Sequence, residues 1–68
     1  MCVKLKLNGK EIALRGEISV AELLSEHGYD SQRVAVEKNG GIVPKKNYTG
    51  VMLADGDKIE VVHFVGGG

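Results

Sequence analysis

Val3, Leu5 and Leu7 alternate with Cys2, Lys4 and Lys6, a period of two that sends one set of side chains into a core and the other into solvent. That pattern predicts a strand. Asn8-Gly9 tolerates the positive φ that both central positions of a type I′ turn require, and Ile12 and Leu14 resume the alternation, which makes the first two strands a hairpin. Ser19 followed by Glu22 is a capping box, with Ile18 placed to pack on Leu23 as a hydrophobic staple. Val20, Leu23, Leu24 and His27 trace one face of the helix that starts there, and Gly28 supplies its left-handed stop, with Tyr29 set to contact Leu24. Val34 to Val36 reads as a third strand and Asn39-Gly40-Gly41 as its turn. Ile42-Val43 is a brief fourth strand that Pro44 ends and confines to a sheet edge. Lys45 to Leu53 shows neither period. Asp55-Gly56-Asp57 is a turn, and Ile59 to Val65 is the longest β-branched run.

The order is therefore strand, strand, helix, strand, short strand, irregular crossover, strand. One helix must cover one face of a mixed sheet of four to five strands. First and last strands lie parallel at the sheet centre, because a parallel pair needs a long crossover and this chain has one. This is an α+β arrangement of the β-grasp, ubiquitin-like kind. It predicts one domain over residues 1–65 and a flexible Gly-Gly tail over 66–68.

Composition narrows the functions. At 68 residues the chain buries only about 60% of its unfolded surface, which leaves little room for a deep catalytic cleft. Nine Lys plus Arg offset nine Asp plus Glu, so there is no global positive field for nucleic acid or anionic lipid. The aromatics are only Tyr29, Tyr48 and Phe64, too few and too far from basic residues for base stacking. Cys2 is a lone cysteine, which fits a reducing cytoplasm, and no segment reads as a signal peptide or a membrane span.

Gly66-Gly67-Gly68 has no side chains to pack and predicts a slender, mobile arm. Its reactive group is the Gly68 carboxylate, a poor electrophile until another enzyme converts it to an acyl-adenylate. Replacing the adenylate by sulfide gives a thiocarboxylate, a soft nucleophile to which Gly67 leaves unhindered access. Alone, the triplet equally describes a frayed end or a cloning remnant.

The segment Asn39-Gly40-Gly41-Ile42-Val43-Pro44, the turn Asp55-Gly56-Asp57 with Lys58-Ile59, and the ending Val65-Gly66-Gly67-Gly68 together resemble the ThiS-like sulfur carriers of thiamine biosynthesis. The resemblance spans nearly the whole chain. It departs in one place, since an aromatic often follows the Ile-Val-Pro-basic stretch closely and here Lys45-Lys46-Asn47 precedes Tyr48. The resemblance implies a protein cosubstrate rather than an enzyme. Gly68 would be adenylated by a ThiF-type E1-like adenylyltransferase that uses ATP, the carrier itself binding no cofactor. Sulfur would come from a donor such as a cysteine desulfurase and pass to the thiazole synthase ThiG. A MoaD-type carrier, a tRNA-thiolation carrier, a ubiquitin-like modifier and a non-covalent β-grasp interaction module are the alternatives.

On the last strand, alternation assigns Ile59 and Val61 to the core and leaves Val62 and Phe64 facing solvent beside the tail. With Val65 and Gly66 they form a candidate patch for protein partners; local cover by neighbouring side chains is the competing reading. Cys2 has no activating neighbour in sequence and reads as an exposed strand residue. His27, expected to meet the last helical carbonyls, and His63, on a strand, lack the spacing of a metal site. Lys45 and Lys46, with Arg33 and Lys38, read as a solvated basic group.

Overall fold

The computed structural model describes residues 2–63. Strand β1, Val3–Leu7, turns at Asn8-Gly9 into β2, Lys10–Leu14. Helix α1 is Val20–Glu26. Strands β3, Val34–Lys38, and β4, Gly41–Val43, form a second hairpin. A 3-10 helix, Lys45–Asn47, and an extended loop lead to β5, Lys58–His63. The single sheet runs β2-β1-β5-β3-β4, with β1 and β5 parallel and the other pairs antiparallel. The β-grasp expectation therefore holds in strand order, in the parallel central pair and in the edge position of β4. The third strand extends two residues past Val36 because Glu37 and Lys38 still pair with β5. The expected extension of the last strand to Val65 and the boundary between 65 and 66 lie outside the described residues.

Both hairpins turn on Asn-Gly with the positive φ that a type I′ turn demands, 51° and 81° at Asn8 and Gly9, 53° and 86° at Asn39 and Gly40. Alternation then decides the faces. Val3, Leu5, Leu7, Val34, Val36, Ile59 and Val61 are buried beneath the helix, which contributes Val20, Leu23 and Leu24.

Helix α1 has 7 residues, too short to persist unaided, and its ends are fully engaged. Glu22 N–H donates to Ser19 Oγ at 3.1 Å and Ser19 N–H to Glu22 Oε1 at 3.1 Å, the reciprocal capping box. At the other end Tyr29 N–H reaches Leu24 O at 2.9 Å and Gly28 N–H reaches Ser25 O at 3.2 Å, with Gly28 at φ 76°. That pair of bonds is a Schellman motif. His27 sits at the C-cap and is exposed, not on the buried face. The backbone is already leaving the helix there, so the fourth helical position no longer projects toward the core.

The stretch from Lys45 to Leu53 is irregular in outline but not loose. Two helix N–H groups that no side chain caps, those of Val20 and Ala21, donate to Val51 O at 3.0 Å and Tyr48 O at 2.8 Å, while Leu53 N–H donates to Ile18 O at 2.9 Å. Tyr48 and Leu53 are buried, and the Tyr48 hydroxyl donates to Val34 O at 3.2 Å. The loop thus lids the core and receives the helix N-terminus.

Asp57 is the buried charged residue of the turn before β5. Its Oδ2 accepts from Ala54 N–H at 2.8 Å, its Oδ1 from Asn39 Nδ2 at 3.0 Å, and Lys38 Nζ lies 3.8 Å away. Lys38 also donates to Met52 O, and Lys45 to Gln32 O. The expected basic group is therefore split, with Lys38 turned inward to Asp57 and the exposed Arg33 paired with Asp30 at 3.5 Å.

Two outcomes follow from this packing. Asp57→Ala leaves Ala54 N–H and the Asn39 amide without their charged acceptor and is expected to cost about 2–4 kcal/mol in urea unfolding. Burial pushes the Tyr48 phenol above the ordinary tyrosine range, a backbone contact at Val36 opposing it in part. A raised folded pKa means that the associated stability is complete below about pH 10 and is lost as pH rises further. The urea midpoint of the native chain is expected to fall more steeply above that pH than the midpoint of Tyr48→Phe.

Candidate functional site

The site expected from sequence lies at the C-terminal end of β5. This strand lies between β1 and β3 in the sheet order, paired with β1 at Lys58 and Ile59 and with β3 from Ile59 to His63. Ile59 and Val61 are buried and Val62 is 59% exposed, as alternation requires. Val62 lies on the face opposite the helix, across from Ala35. Phe64, Val65, Gly66, Gly67 and Gly68 lie outside the described residues.

The open face has a pattern of its own. Register places Glu37 between Glu60 on β5 and Ile42 on β4, and Ile42 is 68% exposed. On the β1 side, Lys6 pairs with Lys58 and with Glu11. An apolar area carrying Val62, Ala35 and Ile42 therefore borders the acidic pair Glu37 and Glu60, with lysines toward the start of β5. Two carboxylates directly opposite one another cost stability within a sheet.

The root of β5 is fixed by residues that sequence reading did not bring together. Asn8 N–H donates to Ile59 O at 2.8 Å, and Asn8 Oδ1 accepts from Val61 N–H at 2.7 Å. Asn8 Nδ2 lies 3.4 Å from the Tyr29 hydroxyl, and the Tyr29 ring faces the His63 ring at 5.3 Å between centroids. Leu7, Asn8, Lys10, Ile12, His27 and Tyr29 line a shallow cleft of about 360 Å³ beside this root. The Asn-Gly turn was legible, but the bond between Asn8 and Val61 spans 53 residues. No local signal announces it.

The remaining candidates are separate. Cys2 is exposed and free. Among the described residues no three His, Cys, Asp or Glu side chains are grouped to hold a metal ion, and no helix is long and apolar enough to cross a membrane.

The ThiS family model matches residues 5–68 of the chain. The chain belongs to the ThiS family. Within it, the sulfur carrier protein ThiS of Bacillus subtilis is 42% identical over 65 residues, covering 94% of this chain and 98% of that one. A thiazole synthase of Paramagnetospirillum magneticum is 50% identical over 66 residues, covering 97% of this chain, and the chain spans only 20% of its length. The crystal structure of the thiamine biosynthesis protein ThiS from Geobacter metallireducens superposes with a TM-score of 0.84 at 33% identity, covering 97% of this chain and 100% of that one.

Proposed function

We propose that this chain is a sulfur carrier of thiamine biosynthesis and that the carboxylate of Gly68 is the group it carries sulfur on. The observation that supports this most is a family match over residues 5–68, which takes in the glycines that follow the central strand in the sequence. The carrier is a cosubstrate, and the chemistry is supplied by its partners. A Gly68 carboxylate oxygen attacks the α-phosphorus of ATP in a ThiF-type adenylyltransferase, and pyrophosphate leaves. The terminal sulfur of a persulfide on a donor such as a cysteine desulfurase then attacks the acyl carbon, the new C–S bond forming as the C–O bond to AMP breaks. A second thiol cleaves the resulting acyl disulfide, itself ending in a disulfide with the donor thiol and leaving a thiocarboxylate.

The likeness to thiazole synthases supports ThiG as the acceptor. Val62 and the neighbouring open face serve as the docking surface, together with Phe64, Val65 and Gly66. The balanced surface charge and the exposed free thiol of Cys2 suit the reducing cytoplasm.

Deleting Gly68, or adding one residue after it, is expected to lower adenylation by a ThiF-type enzyme by ~100-fold or more, since the reacting atoms no longer meet. ATP–pyrophosphate exchange measures this, and retention of full exchange by the Gly68 deletion would falsify the assignment. The intact mass of carrier taken from its host should include a form heavier by the difference between sulfur and oxygen.

Val62→Asp alters an exposed group, and its stability should fall by only about 1 kcal/mol, since Asp is disfavoured in strands and adds a carboxylate on the face of Glu60. Its KM for the activating enzyme should rise about tenfold with kcat nearly unchanged, as loss of a docking contact requires.

A further inference from the structure

Strands β1 and β5 run parallel, and their ladder would normally continue through backbone groups on both sides. Lys6 N–H donates to Asp57 O at 2.9 Å and Asn8 N–H to Ile59 O at 2.8 Å. The next rung requires an acceptor for Val61 N–H, but at Asn8 the chain has turned into the left-handed region, φ 51°, and its carbonyl no longer follows the strand. The side-chain amide of Asn8 takes over that role and accepts from Val61 N–H at 2.7 Å. Asn is suited twice over, because it tolerates the positive φ and carries an acceptor of the same kind as the lost carbonyl. The same amide meets the Tyr29 hydroxyl, and Tyr29 in turn faces His63.

We propose that Asn8 is a positioning residue for the reaction at Gly68, its side-chain amide fixing, with Tyr29 and His63, the end of β5 to which residues 64–68 are joined. This rests on the reading of Gly68 given above. Residues 64–68 reach at most about 17 Å when extended. A partner that grips the open face at Val62 and acts on Gly68 measures both from one origin. Val62 itself stays paired with Ala35 on β3. Loosening the Asn8 side therefore disturbs the end of β5 that leads to Gly68 more than the docking contact.

The second Asn-Gly turn supplies the control. Asn39 performs the same service at the opposite end of β5, its Oδ1 accepting from Lys58 N–H at 2.9 Å and its N–H donating to Lys58 O at 2.7 Å. Asn8→Gly and Asn39→Gly both keep the turn conformation and both delete one side-chain rung. They differ in which end of β5 is released, and Asn39→Gly also takes a donor from Asp57, far from the Val61 end.

The test uses the full chain with a ThiF-type adenylyltransferase, at a temperature where circular dichroism shows every variant folded. Asn8→Gly is expected to lower kcat for ATP–pyrophosphate exchange about tenfold with KM little changed, as the fraction of chains with an ordered end to β5 falls. Amide exchange at Val61 should accelerate in the same variant. Asn8→Asp, which retains an acceptor for Val61 N–H, should stay within about twofold of the parent, and Asn39→Gly should leave kcat unchanged.

If Asn8→Gly keeps the parental kcat, or Asn39→Gly lowers it equally, the proposal is overturned. Should Asn8→Gly not fold, Tyr29→Phe decides. It keeps the ring against His63 but removes the hydroxyl, and an expected two- to threefold fall in kcat (about 0.4–0.7 kcal/mol) supports the proposal, while no change overturns it. A parent chain that is not adenylated at all refutes the Gly68 reading instead, so the two failures are distinct.

Discussion

The parallel pairing of β1 with β5 is the constraint on which the rest of the molecule depends. Parallel neighbours cannot be joined by a hairpin, so the chain between them must cross the sheet and return. Helix α1 makes part of that journey and covers the face that β1 and β5 share. The loop from Tyr48 to Leu53 completes it, and its carbonyls receive the first N–H groups of the helix. Without that loop a helix of 7 residues would have two unanswered donors at its N-terminus and little stability of its own.

The two Asn-Gly turns add a second layer to the same constraint. Each reverses the chain into an edge strand, and each also lends a side-chain amide to the central strand, Asn39 at its beginning and Asn8 near its end. Asp57 ties the first of these into the turn before β5 through Asn39 Nδ2. The central strand is thus anchored at both ends by groups on hairpins that the chain makes early. A group attached after it starts from a fixed place.

This arrangement suits a carrier. A chain that borrows its chemistry from partners needs a presented reactive group and a recognisable surface beside it, and it needs no buried catalytic cleft. The exposed Val62 lies on the strand that leads to the glycines, on the face that the helix leaves uncovered. The acidic pair Glu37 and Glu60 crosses the same face. It gives up some sheet stability, and among the described residues neither carboxylate has a hydrogen bond or an ion pair.

The sequence by itself determined whatever depends on neighbours along the chain. Period-two alternation identified the buried residues of β1 and β5 and the outward face of Val62, whose exposure the folded sheet then decided. Asn8-Gly9 and Asn39-Gly40 marked both hairpins, while Ser19 with Glu22 and Gly28 with Tyr29 marked the ends of the helix. The likeness of these local motifs to the ThiS family supplied the chemistry of the glycines, which bare composition could not distinguish from a loose end.

Tertiary structure alone decided what depends on residues far apart in the chain. Tyr48 and Leu53 show no periodicity because their burial is set by the helix N-terminus they cover, about thirty residues earlier. His27 follows the helical spacing but lies at the cap, where the backbone has already turned. Asn8 reads locally as a turn residue. Its amide completes the ladder of a strand 53 residues away, and only the folded sheet brings that strand within a hydrogen bond of it.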